Sequence, residues 1–258
     1  MLYEKGAVKC MNKRKTAILL AAGSGKRMNS AVAKQFMLLD GKPLICHALQ
    51  TIEASEVIDD CVVVTGGSDV DYVKTEIVEK YAFHKVKAVI AGGSERWESV
   101  ALAVRAIAGG ALEIPNTDGF LFIHDGARPF LTCEILEDTL RDVQKYHACV
   151  AAVPSKDTVK LSDGEAFAAS TPDRRRVWLI QTPQVFDTGL VTKAYEKLMQ
   201  EAGQSGKTSI TVTDDASVVE RYTDCRVKLT MASYTNMKIT TPEDLPIAEL
   251  LLRNGNHA

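Results

Sequence analysis

No apolar run in this 258-residue chain approaches the ~20 residues that a bilayer-spanning helix requires, and residues 1–15 (MLYEKGAVKCMNKRK) lack the apolar centre of a secretory signal. The expectation is a cytoplasmic protein with no membrane partner. The six cysteines, at 10, 46, 61, 133, 149 and 225, are scattered without a C-x-x-C pair, so they read as reduced thiols, several of them buried. The five histidines form no ligand constellation. Any metal should then be a hard cation carried by phosphates and carboxylates. Strong charge of either sign is missing too: the formal net charge is -2, which argues against a general nucleic-acid binder. Basic residues should act locally, on small anions. Internal repeats and low-complexity segments are also lacking.

What is present is an ordinary globular composition, 46% apolar and 25% charged, with enough chain for one large core. Apolar segments of strand length at 16–22, 61–65, 85–91, 120–124 and 149–154 alternate with amphipathic segments of helix length at 43–54, 69–80, 94–107 and 132–146. Continuous apolar strands with intervening helices predict an α/β, Rossmann-like fold, a mostly parallel sheet covered by helices on both faces. The alternation breaks after Pro154. Two short β-capable segments around Ser162-Asp-Gly-Glu165 predict a projecting β-hairpin arm over about 155–176, ending in Arg174-Arg175-Arg176. Three arginines in a row also suit a solvated face. The chain re-enters the core over 177–186, followed by helices at 187–202 and 214–221 and a strand at 226–231. Thr241-Pro242-Glu243-Asp244 predicts a helix from Pro242 to about Leu252, capped by Thr241, with Lys238 in a strand-like segment just before it. The chain is therefore divided into one domain at 16–252 with the arm inside it, and an N-terminal extension at 1–15, where Met11 is an alternative start.

The segment Ala17-Ile-Leu-Leu-Ala-Ala-Gly-Ser-Gly-Lys-Arg-Met28, with Lys34-Gln35 beyond it, gathers Lys26, Arg27 and Lys34 around a glycine loop. Exposed N–H groups and cations at one turn suit a polyphosphate; a tight strand-to-helix turn with a basic surface is the plainer alternative. It is not a P-loop, which would need Gly at Leu20 and Ser or Thr at Arg27, and Met28 stands where a dinucleotide fingerprint has its third Gly. In a parallel sheet ligands sit beyond the strand carboxyl ends, where this loop, Thr65-Gly-Gly-Ser68, Gly92-Gly-Ser-Glu-Arg96 and His124-Asp-Gly-Ala-Arg-Pro129 should converge.

The ordered set L-L-A-A-G-S-G-K-R-M with Lys34-Gln35, A-G-G-S-E-R with Ser99, H-D-G-A-R-P, V-P-S-K-D-T, Q-T-P-Q, T-D-D-A-S and Y-T-N-M-K-I-T-T-P-E-D-L closely resembles the 2-C-methyl-D-erythritol 4-phosphate cytidylyltransferase family of the nonmevalonate isoprenoid pathway, from about residue 16 to 252. The resemblance implies transfer of CMP from CTP to that sugar-alcohol phosphate, with Mg²⁺, in a homodimer built through the arm. It assigns Arg27, Lys34, Arg174 and Lys238 to catalysis. Ala21, Ala22, Gly23, Gly25, Gly93, Ser94, Ser99 and Gly126 fall to the nucleotide, with Ser94 departing from the family's usual Asp. Asp125, Arg128, Thr158, Thr182 and Thr213 fall to the second substrate, and Thr158 and Arg174 reach the neighbouring subunit's site. Asp125 stays open between capping a turn, binding substrate hydroxyls and holding the metal, which CTP phosphates could otherwise carry. Alternatives are a cytidylyltransferase for another polyol phosphate, such as ribitol 5-phosphate, and a non-catalytic nucleotide-binding protein.

Overall fold

A computed structural model describes residues 13–23, 33–110, 112, 117–205 and 211–254. The expected strands form one seven-stranded sheet: β1 (Lys15–Ala21), β4 (Asp60–Thr65), β5 (Val86–Ala91), β6 (Phe120–Asp125), β7 (Ala148–Pro154), β10 (Trp178–Asp187) and β11 (Lys228–Met231), in the order β11-β7-β10-β6-β1-β4-β5. Only β10 runs against its neighbours, antiparallel to both β6 and β7. The remaining two hairpins are β2 (Leu38–Leu39) with β3 (Lys42–Pro43), and β8 (Leu161–Ser162) with β9 (Ala168–Ser170). The first was not expected; Asp40 and Gly41, at φ 50° and 74°, supply the left-handed residues that a two-residue hairpin turn demands.

Among the described residues seven helices flank the sheet: α1 (Leu44–Ala54), α2 (Val70–Tyr72, continued as a π-helix over Val73–Glu79), α3 (Arg96–Ala108), α4 (Cys133–Tyr146), α5 (Thr188–Ser205), α6 (Asp215–Tyr222) and α7 (Asp244–Arg253). Strand alternation sorts the core into two layers. Ala17, Leu19 and Ala21 of β1 face Leu49 and Ile52 of α1, Ile77 beyond α2, and Ile135 and Val143 of α4. Ile18, Val62 and Ile123 face Trp97 and Val104 of α3, Val191 and Leu198 of α5, and Val219 of α6. Burial on both faces is why these strands read as continuous apolar runs.

Near the carboxyl end the structure departs from expectation in two respects. The last helix begins at Asp244, two residues after Pro242, and is not capped by Thr241. Asp244 reaches back instead, its carboxylate accepting bonds from the Thr240 N–H, the Thr240 hydroxyl and the Thr241 N–H at 2.7–2.9 Å, which holds residues 240–243 in a turn. Lys238 lies in an irregular segment, not a strand; the Ile239 N–H donates to the Ala127 carbonyl just beyond β6. The predicted arm is present, and β8 and β9 are exposed throughout. No helix among the described residues is long and apolar enough to cross a membrane.

Candidate active site

Parallel order brings the ends of β1, β5 and β6 to one edge of the sheet, where two adjoining cavities open. The first, about 320 Å³, is lined by Ala21, Ala22 and Gly23 after β1, by Lys34 and Gln35, by Gly93, Ser94 and Ser99, and by Arg96, Asp125 and Lys238. The second, about 490 Å³, shares those last three residues and adds Arg128, Gln181, Thr182 and Thr213. Thr65-Gly-Gly-Ser68 lines neither, because Gly67–Asp69 turns away as the opening of α2.

Local folding explains each position. Lys34 begins a single 3₁₀ turn whose other residues are anchored: Phe36 is buried, and the Gln35 amide donates to the Ala21 carbonyl. On the β5–α3 turn the Gly93 N–H donates to Ser99 Oγ at 3.1 Å, and Glu98 Oε2 accepts from the Ser94 hydroxyl and from the Ser94 and Glu95 N–H groups. Glycine is required there, since a Cβ on Gly92 would come within 2.5 Å of Ser99 Oγ. The Ser94 hydroxyl is thus engaged by Glu98 within its own turn. Gly126, expected near cytosine and ribose, is not on the wall of either cavity; it is buried behind it, its N–H bonded to the Leu20 carbonyl and its Cα facing Ile45.

At the shared wall Asp125 is buried between two cations. Its Oδ1 accepts from Arg96 Nε at 3.3 Å and its Oδ2 from Lys238 Nζ at 2.7 Å. Burial alone would raise the Asp125 pKa, but Arg96, Lys238 and Arg128 together hold it far below the usual carboxylate range. Arg128 is 9% exposed and has no carboxylate within ion-pair distance among the described residues. Its Nη1 donates to the Asn236 carbonyl and its Nε has no partner. Burial lowers the Arg128 pKa, with Asp125 opposing and Arg96 adding to the shift. A buried cation with an orphaned donor beside a cavity is able to receive an anion.

Thr182 lies midway along the antiparallel β10. Its Oγ1 accepts the Asp125 N–H at 3.1 Å and bonds His124 Nδ1 at 3.0 Å, while His124 Nε2 bonds the Arg128 carbonyl at 3.2 Å. Burial pushes the His124 pKa down to about 4, so the ring is neutral and accepts the Thr182 hydroxyl proton at Nδ1. Thr213 rims the second cavity just before α6.

Thr158 and Arg174 are exposed and reach neither cavity of their own chain; Arg174 Nη1 bonds the Lys156 carbonyl. Arg175 pairs with Asp173, and Arg176 is exposed, as expected of surface charge. Gly25, Lys26 and Arg27, like residues 1–12, lie outside the described residues. Among the described residues no group of three or more His, Cys, Asp or Glu side chains could hold a metal. Asp125, with both oxygens ion-paired, does not fit the metal-ligand role left open for it.

Arg96 and Asp215 were absent from the predicted site. Arg96 forks onto Asp215, which is wholly buried at the start of α6 and also accepts the Tyr195 hydroxyl of α5. The signal was in plain view, in the G-G-S-E-R and T-D-D-A-S motifs, but only the fold brings the two together.

The sequence pattern described as IspD, 2-C-methyl-D-erythritol 4-phosphate cytidylyltransferase, matches residues 16–254. The chain is 43% identical over 238 residues to a protein of Lachnospira eligens named 2-C-methyl-D-erythritol 4-phosphate cytidylyltransferase, covering 92% of this chain and 99% of the relative. A relative of the same name from Geotalea uraniireducens is 40% identical over 243 residues, covering 94% and 98%. Among solved structures the fold is similar to 4-diphosphocytidyl-2C-methyl-D-erythritol synthase from Anaerococcus prevotii, with a TM-score of 0.79 and 32% identity over 95% of this chain and 99% of that one.

Proposed function

The chain belongs to the 2-C-methyl-D-erythritol 4-phosphate cytidylyltransferase family and transfers CMP from CTP to that substrate, releasing pyrophosphate; we propose that it does so across the wall its two cavities share. CTP takes the cavity lined by Ala21, Ala22 and Gly23, and the sugar-alcohol phosphate takes the one beside Arg128. A phosphate oxygen of the sugar-alcohol attacks the α-phosphorus in line, forming one P–O bond as the bond to pyrophosphate breaks. No covalent nucleophile is needed. The protein must bring two anions together and meet the charge that grows on the α-phosphate and the leaving group.

The observation that carries this reading is the common boundary of Arg96, Asp125 and Lys238 between the cavities. Lys238, fixed by Asp125, aims the attacking phosphate, Arg128 receives anionic or hydroxyl oxygens through its unpartnered donor, and Asp125 accepts substrate hydroxyls beside its two cations. Arg27 and Lys34 meet the developing charge on CTP. Mg²⁺ would be carried by the triphosphate, where it would neutralise phosphate charge. CTP is an intracellular metabolite, which puts the reaction in the cytoplasm. Active molecules are homodimers in which Thr158 and Arg174 of the arm complete the neighbouring site; their distance from the cavities of their own chain supports this.

Pyrophosphate release from CTP and Mg²⁺, offered with each sugar phosphate in turn, tests the assignment. Turnover with 2-C-methyl-D-erythritol 4-phosphate and little with ribitol 5-phosphate is expected; a preference for ribitol 5-phosphate would overturn it.

A further inference from the structure

The roles above leave one wholly buried carboxylate unused. Asp215 has 0% exposure; its Oδ1 accepts from Arg96 Nη1 at 2.9 Å and from the Tyr195 hydroxyl at 2.6 Å, and its Oδ2 accepts from Arg96 Nη2 at 2.7 Å. The same guanidinium gives Asp125 only its Nε, at 3.3 Å. One planar cation is therefore divided unequally, with its two-nitrogen fork on the hidden carboxylate and its weaker side on the carboxylate at the cavity wall. Burial raises the Tyr195 pKa and Asp215 raises it further, which keeps the phenol a proton donor to Asp215.

We propose that Asp215 and Tyr195 are positioning residues for the second substrate: they hold the Arg96 fork so that it cannot close on Asp125, which leaves Asp125 free to accept substrate hydroxyls. This rests on the reading of Asp125 as a substrate-binding group. Without Asp215, the nearest carboxylate for the Arg96 fork is Asp125, and a fork-to-fork pair would occupy both oxygens that Lys238 and the substrate share. A merely structural tie among α3, α5 and α6 is the competing account. Those helices are already joined by Trp97, Val104, Val191, Leu198 and Val219 in one apolar layer, and a buried ion pair adds little net stability to such packing.

Steady-state kinetics of the full-length enzyme, varying each substrate separately, tests the assignment. Asp215→Asn keeps the side-chain shape and removes the charge; KM for 2-C-methyl-D-erythritol 4-phosphate should rise roughly tenfold, and KM for CTP less than about twofold. Tyr195→Phe keeps the buried ring and should shift the same constant by about threefold. In an Asp125→Asn background, Asp215→Asn should add little further loss in kcat/KM, because the two act in series. Folded variants with both KM values unchanged, equal rises in both, or additive losses in the double variant would each overturn the proposal. If Asp215→Asn does not fold, Tyr195→Phe decides by the same criteria. Wild-type turnover with unaltered variants removes only the positioning role; a wild-type protein inert with both substrates removes the functional reading and this one with it.

Discussion

His124 shows how a single residue can support a site it never enters. It is buried next to Asp125 in β6, and its two ring nitrogens join the Thr182 hydroxyl to the Arg128 carbonyl, so the backbone on both sides of the wall between the cavities hangs on a neutral imidazole. Protonation would replace the Nδ1 acceptor with a donor facing Thr182 and put a charge beside the buried Arg128. The linkage follows from the depressed pKa: unfolded, the ring titrates near 6.5; folded, at about 4. Below the unfolded value the unfolded chain binds the extra proton, so stability is lost as pH falls from about 6.5 through 4. The contribution of this one group is about 3 kcal/mol across the window. Urea unfolding between pH 7 and 4 should show the decline, and His124→Asn, though less stable at pH 7, should show a shallower slope. Equal slopes in the two proteins would mean that His124 is not the group responsible. Asp125, held ionised far below this range in the folded protein, adds its own loss only toward about pH 4 and below, where the unfolded carboxylate takes up its proton.

Among the elements, the β5–α3 turn is where tight backbone space meets the lining of the first cavity. A Cβ on Gly93 would lie well inside contact with Glu98 Cβ, which cannot move without the first turn of α3, and the Gly93 N–H is one of the bonds fixing Ser99. Gly93→Ala should therefore cost about 1–3 kcal/mol of stability and raise KM for CTP more than that of the second substrate, read by thermal melting and kinetics. An unchanged KM for CTP would show that this turn does not hold the nucleotide. The turn was legible in sequence because Gly92-Gly93 follows an apolar strand, and the same pattern located β1, β4, β6 and β7 to within a residue or two. Other elements were not legible for identifiable reasons. Nothing local says that β10 runs antiparallel, yet the middle of that reversed strand places Gln181 and Thr182 on the wall of the second cavity. Thr-Pro-Glu-Asp reads as a helix start, but the Asp244 carboxylate captures Thr240 and Thr241 and delays it. Arg96 and Asp215 lie 119 residues apart in chain, beyond the reach of any spacing argument.

At the scale of the whole molecule, Thr158 and Arg174 of the arm line neither cavity of their own chain. The arm leaves Leu161 55% and Phe167 70% exposed, and at its base Leu179, Ile180 and Met231 are also uncovered, more apolar surface than a short hairpin can bury against itself. At the same root, Tyr234 donates to the Pro154 carbonyl and lies beneath the Lys156 ammonium, which sets the direction in which the chain leaves the sheet toward Thr158. Covering this surface with a second copy of the arm in a two-fold dimer would bring Arg174 of each chain toward the other's cavities. Two inactive variants, Lys34→Ala and Arg174→Ala, test that arrangement when co-expressed and purified as the mixed dimer. If Arg174 acts across the interface, one site of the heterodimer combines an intact Lys34 with an intact arm, and the other site carries both defects. The mixed dimer should then recover roughly one working site, about half the activity of the wild-type dimer. If Arg174 acts within its own chain, each site keeps one defect and the heterodimer stays inactive although both subunits are folded, a result that would place the arm's arginine in cis.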